Sequence, residues 1–249
     1  MIIYYIRHGN PTYTPDELTP LGRRQAEAVC RRIAAVGVDE IYASTSTRAM
    51  QTAEPLCEIL GKELTTLDWM HEKYAYASLT MPYKNGKDWI WSHPEYSALL
   101  CSREIRNMGD RWYEHPKLAE GNFGEAVKRV ADEADKWIAS FGYEHDTEKG
   151  LYKITSDEYK DKRIALFAHE GVGKSFLSSV LDIPYPALAA HIEMQQSGMT
   201  VIYFDEGSED YNYGGYARAR VLTVSNDSHL YRAGLPTDCR ITHIKSLKY

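Results

Sequence analysis

The sequence predicts an α/β fold, a three-layer sandwich in which helices flank a mostly parallel central sheet. Three observations carry this reading. Short runs of β-branched and aromatic residues (2–6, 39–43, 164–168) alternate with stretches of helical periodicity. Helix-start residues follow the first two runs, at Thr19-Pro20 and at Ser46. Two of the runs end on His-Gly or His-Glu-Gly, at the carboxyl edge where open α/β sheets build ligand sites.

In chain order, residues 2–6 read as a buried strand and residues 10–17, with two prolines, as a loop. Thr19 caps a helix that opens on Pro20 and runs to about 36, with Gly37 as its stop. A strand at 39–43, a helix at 46–60 ending before Gly61 and a short strand at 64–67 follow. Residues 73–119 are less periodic and dense in aromatics, among them Tyr76, Trp89, Trp91 and Trp112. They read as a mostly helical, aromatic-rich cap inserted into one domain spanning 1–249.

Apolar spacing at Val127, Val130, Ala134, Trp137 and Ile138 predicts a helix over 123–141. Residues 142–162 read as a surface hairpin or loop. The strand at 164–168 precedes a helix over 174–181, and strands at 200–204 and 219–224 complete the sheet. Residues 205–215 are a flexible loop by composition.

Composition narrows the function. A formal net charge of -6 over 249 residues leaves no basic footprint for nucleic acid. No apolar stretch has the length of a membrane span, and the N-terminus enters a strand without a basic leader, so neither a membrane partner nor a signal peptide is expected. Cys30, Cys57, Cys101 and Cys239 are scattered without zinc spacing. They read as reduced thiols of a cytoplasmic protein. No paired-Asp or His-Glu-x-x-His spacing stands out, so neither metal nor cofactor is expected.

The residues at the strand ends carry the chemistry. Arg7-His8-Gly9, the segment Ser44 to Ala53 with Arg48, and Ala168-His169-Glu170-Gly171 bring two arginines and two histidines to strand–helix junctions. A phosphoryl pocket needs one imidazole to attack phosphorus and further cations to neutralise the equatorial oxygens. Arginine suits the second task because its planar fork grips phosphate oxygens in pairs. A rival reading starts from Gly171-Val172-Gly173-Lys174-Ser175, which resembles the end of a nucleotide-binding P-loop. Its leading glycine is replaced by Ala168.

With these pieces in this order, the chain resembles the histidine phosphatase superfamily in its phosphoglycerate mutase-like branch. Arg7-His8-Gly9, Leu18-Thr19-Pro20-Leu21-Gly22-Arg23-Arg24-Gln25-Ala26, Ser44 through Ala53, Ala168-His169 and Asn226-Asp227-Ser228-His229-Leu230 carry the likeness, which extends to about Leu230 with an atypical middle. The resemblance implies a metal-independent hydrolase of small phosphomonoesters. His8 would be the nucleophile, and Arg7, Arg48 and a protonated or hydrogen-bonding His169 would clamp the phosphoryl group. Backbone amides near Gly9 and Gly171 would assist, and Asn10 and Glu170 would border the substrate.

Glu72 holds the position of that branch's proton donor. Glu170 is the alternative, since His169-Glu170 resembles the His-Asp of another branch. Only residues 10–17 separate Gly9 from Leu18, which implies a phosphatase rather than a mutase. A mutase-type transferase, the P-loop NTPase and a non-catalytic phosphate-binding protein stay as alternatives. The aromatics of 73–119 are either the cap's own core or a lid over the non-phosphate part of the substrate.

Overall fold

The opening apolar run folds as β1 (Ile2–Arg7), near the middle of an eight-stranded sheet. The computed structural model describes residues 1–208 and 210–237. After β1 come a small hairpin, β2 (Pro11–Tyr13) and β3 (Asp16–Leu18), then α1 (Pro20–Ala34), β4 (Glu40–Ser44), α2 (Thr47–Leu60) and β5 (Leu64–Leu67). Residues 72–108 form α3 (Glu72–Ser78), a hairpin of β6 (Thr80–Tyr83) and β7 (Gly86–Trp89), α4 (Pro94–Leu100) and α5 (Arg103–Met108). The chain continues through α6 (Phe123–Ala139), β8 (Tyr143–Asp146), β9 (Leu151–Ile154), β10 (Arg163–Ala168), α7 (Glu170–Leu181) and α8 (Tyr185–Ala189). It closes with β11 (Met199–Asp205), β12 (Tyr216–Asn226) and α9 (Ser228–Arg232).

The helix starts follow from local chemistry. Thr19 Oγ1 accepts from the Gly22 amide at 3.0 Å, and Pro20 supplies a first helical residue that needs no amide partner. Ser46 Oγ accepts from the Ala49 amide, and α2 ends on Gly61 in the left-handed region.

The strand order is β5-β4-β10-β1-β11-β12-β9-β8. The first four strands are parallel, and the rest join antiparallel. The sheet is therefore mixed, not mostly parallel, although its parallel half carries the predicted site. The reason is the connections. Ser197 and Gly198 hydrogen-bond His8 and Arg7 at the carboxyl end of β1, so β11 starts there and must run back. Only ten residues separate β11 from β12, fewer than a parallel crossover needs.

The two sheet faces bury different helices. Ile6, Ile41, Ala43 and Phe167 pack on Val29 and Ile33 of α1 and on Ala53 and Leu56 of α2. Tyr5, Ile164 and Leu166 pack on the opposite side with Val130, Trp137 and Phe176 of α6 and α7. This alternation along each strand creates the three layers.

Three local expectations change. α7 begins at Glu170 rather than Lys174, because Gly171 and Gly173 serve helix packing instead of a turn. Residues 142–162 hold a hairpin that extends the main sheet through β12, with Tyr143 and Tyr152 buried. Residues 73–119 combine short helices with the β6–β7 hairpin, whose turn is at Lys84-Asn85. Cys30, Cys57 and Cys101 are free thiols, and Cys239 lies outside the described residues. No described helix is long and apolar enough to cross a membrane.

Candidate active site

Register puts the chemistry in one place. Arg7 pairs with Ala168 across β1 and β10, and Phe167 pairs with Ala43 across β10 and β4. The carboxyl ends of three parallel strands are therefore level, and His8, His169 and the Ser44–Arg48 turn emerge side by side. A cavity of about 520 Å³ opens there. Arg7, His8, Arg48, Glu72 and Glu170 line its floor, and Tyr13, His71, Lys73, Tyr76 and Trp89 form its walls.

His8 Nδ1 lies 2.7 Å from the Gly9 carbonyl oxygen, which can only accept. Nδ1 therefore carries a proton and donates it to that oxygen. The His8 and His169 rings are 5.1 Å apart between centroids.

His169 is fully buried. Burial, then the neighbouring His8 and Arg48, push its imidazole well below the usual range, so the ring is neutral. Arg48 Nη2 donates to His169 Nδ1 at 3.1 Å, which leaves the proton on Nε2 to reach Ser44 Oγ at 2.8 Å. Both ring nitrogens of His169 are therefore engaged by protein groups, Arg48 and Ser44, and the residue is not among those lining the cavity. Asp16 fixes the other side of Arg48 at 2.6 Å, and Arg48 Nε is buried without a hydrogen-bond partner among the described residues.

The two candidate acids differ sharply. Glu72 Oε1 and Oε2 accept from the amides of Gly171 and Val172 at 2.8 and 2.9 Å, at the start of α7. Burial raises its carboxyl above the ordinary range, against the pull of those two amides. Glu170 instead ion-pairs Arg7 at 2.7 Å and Lys174 at 3.3 Å, with its side chain only 5% exposed. Arg7 also donates to the Met194 carbonyl.

Three predicted contacts are corrected. The Gly9 amide donates to Thr52 Oγ1, and the Asn10 amide to Gln25 Oε1. The Asn10 side chain bonds Gln196 and Thr19. Gly9 thus ties the loop to α2, while Asn10 ties it to α1, to the Thr19 cap and to Gln196, so both are engaged within the protein. A Cβ on Gly9 would meet the Gly22 carbonyl oxygen at 2.6 Å, so glycine there serves close backbone approach. The Gly171 amide is taken by Glu72, and a Cβ on Gly171 would lie 2.4 Å from Trp89. The P-loop reading also loses its ground, because Lys174 is fully buried inside α7.

The sequence reading missed Asp16, His71 and Lys73. No local pattern marks Asp16, whereas His71 and Lys73 flank Glu72 and were within reach. The aromatics of 73–119 fall into two groups by position. Trp91 and Trp112 are core, while Tyr76 and Trp89 line the cavity and meet edge to face at 5.4 Å. No group of His, Cys, Asp and Glu among the described residues has the arrangement of a metal site.

Residues 3–95 match the family model described as histidine phosphatase superfamily (branch 1), in line with the resemblance read from the motifs. A phosphoserine phosphatase from Entamoeba histolytica, solved with phosphoserine, superposes with a TM-score of 0.57 at 17% identity, covering 92% of this chain and 98% of that one. A mycobacterial glucosyl-3-phosphoglycerate phosphatase gives 0.56 at 19%, covering 90% and 98%. The alpha-ribazole phosphatase from Shigella flexneri gives 0.54 at 17%, covering 91% and 97%. No curated protein matches the chain at significant similarity. At these identities the structural likeness establishes the shared fold.

Proposed function

We propose that this chain, which has the fold of the histidine phosphatase superfamily and matches its branch 1 over residues 3–95, is a metal-independent phosphatase of small phosphomonoesters. The observation that carries the reading is the hydrogen bond that His8 Nδ1 donates to the Gly9 carbonyl. Nδ1 is held there, and His8 lines the cavity together with Arg7 and Arg48, so Nε2 is the ring nitrogen assigned as nucleophile.

In this reading His8 Nε2 attacks phosphorus, and the bond to the leaving oxygen breaks. Arg7 and Arg48 hold the equatorial oxygens as charge develops, and His169 keeps the Arg48 fork in place. Glu72 gives its proton to the leaving oxygen. It then takes one from the water that cleaves the phosphohistidine. Its raised range favours donation near neutral pH, whereas Glu170 is already engaged by two cations. The tight β2–β3 hairpin between Gly9 and Leu18 supports hydrolysis over a mutase reaction, since it leaves no long segment to grip a second phosphate.

Residues 73–119 act as a cap on a single domain, with Tyr76 and Trp89 packing against the non-phosphate part of the substrate. Free Cys30, Cys57 and Cys101 fit a reducing, cytoplasmic setting.

The test is to mix labelled phosphomonoester with the protein, quench without acid and look for a base-stable, acid-labile phosphoprotein. His8→Ala is expected to lose both label and turnover. Label that persists in His8→Ala overturns the assignment. Full activity is expected after exhaustive chelation, because arginines supply the positive charge.

A further inference from the structure

Lys174 is a fully buried lysine beside the cavity with no part in the reaction proposed above. Its Nζ lies 3.2 Å from the Ala189 carbonyl oxygen, 3.3 Å from Glu170 Oε1 and 3.8 Å from Glu193 Oε1, and 4.3 Å from the centroid of the Trp91 ring. Burying an ammonium group without compensation is expensive, so this environment holds it for a reason beyond filling space. Burial pulls the amine below the usual lysine range, while Glu170 and Glu193 pull it back.

The charge count around the site identifies that reason. Arg7 is paired with Glu170 and Arg48 with Asp16, each at hydrogen-bond distance. Either pair alone is neutral, and Glu170 adds a carboxylate to a cavity meant for a dianion. Lys174 supplies a second cation to Glu170 from the side away from Arg7, one helical turn along α7. The buried trio of Arg7, Glu170 and Lys174 therefore carries one net positive charge. Glu193 is more than half exposed, so solvent screens its effect.

Resting on the phosphatase reading, we infer that Lys174 is a positioning residue. It shares the Glu170 carboxylate so that Arg7 keeps a net charge for the phosphoryl dianion. The sequence Gly171-Val172-Gly173-Lys174-Ser175 thereby serves phosphate binding through Arg7, without touching phosphate itself.

The experiment measures inorganic phosphate binding by calorimetry and turnover of p-nitrophenyl phosphate, with circular dichroism as a check on folding. Lys174→Met is expected to weaken phosphate binding about ten- to a hundredfold, with the kinetic loss falling on KM. The double variant Glu170→Gln/Lys174→Met restores one net charge through Arg7, and is expected to bind phosphate within about threefold of the unmodified protein. A purely structural lysine gives no such rescue.

Lys174→Met binding as tightly as the unmodified protein, or a double variant as weak as Lys174→Met, overturns the inference. If Lys174→Met does not fold, Glu170→Gln is compared with the double variant. Tighter phosphate binding by Glu170→Gln supports the inference, and equal binding overturns it. Phosphate binding without turnover by the unmodified protein counts against the phosphatase reading and leaves these comparisons valid. No phosphate binding at all overturns both.

Discussion

Arg48 and His169 are bound directly to each other, with Arg48 Nη2 3.1 Å from His169 Nδ1. The contact spans 121 residues of sequence and fixes both groups at once. It sets the imidazole tautomer, and with Asp16 it aims the guanidinium fork. Arg48→Lys keeps the charge and loses the fork, so kcat/KM is expected to fall by about a hundredfold or more. Steady-state kinetics on p-nitrophenyl phosphate decides this, and a loss below about fivefold removes Arg48 from the transition-state contacts.

Glu72→Gln tests the proton donor by leaving group. Turnover of alkyl phosphates is expected to drop by about 10²- to 10⁴-fold, because an alkoxide cannot leave without a proton. Aryl phosphates are expected to lose far less. The same comparison with Glu170→Gln is expected to show no leaving-group selectivity. Selectivity in Glu170→Gln and none in Glu72→Gln would reverse the two roles.

Gly22→Ala probes the backbone crossing under the nucleophile. The new Cβ would lie 2.1 Å from the Asn10 carbonyl oxygen, a rigid neighbour. A loss of about 2–3 kcal/mol is expected, which lowers Tm by about 5–10 °C in a chain of this size. Thermal denaturation measures it. An unchanged Tm would mean that α1 and the loop after β1 do not meet this closely.

His145 gives a pH-dependent staple away from the site. Its Nδ1 bonds Asp135 of α6 at 2.9 Å, and its Nε2 bonds Asp182 at the end of α7 at 3.0 Å. Burial lowers the imidazole, but the two aspartates outweigh it and raise it to about 9. For a group raised on folding, the added stability is fully present below the unfolded value of about 6.5 and is lost as pH rises through about 9. Both aspartates are partly exposed, so the contribution is about 1–2 kcal/mol. Denaturant unfolding from pH 6 to 9.5 is expected to show this decline in the native chain and not in His145→Gln. Parallel curves would rule it out.

The sequence by itself determined the alternation of strands and helices, the caps at Thr19 and Ser46, and the placing of His8 and His169 at strand ends and of Arg48 at the start of a helix. Each depends on periodicity or on contacts within a few residues, which short windows of sequence encode. Glu72 was legible only through its place in a motif order, since nothing beside it shows that α7 would meet it a hundred residues on. The antiparallel half of the sheet, the pairing of Arg48 with Asp16, and Trp89 over Gly171 were decided by tertiary structure alone. So was the change in meaning of Lys174 from a phosphate-loop lysine to a buried counter-charge. Strand register, which no local pattern specifies, levels the ends of β1, β4 and β10. It thereby settles which distant side chains share one low-dielectric cavity and which charges must balance there.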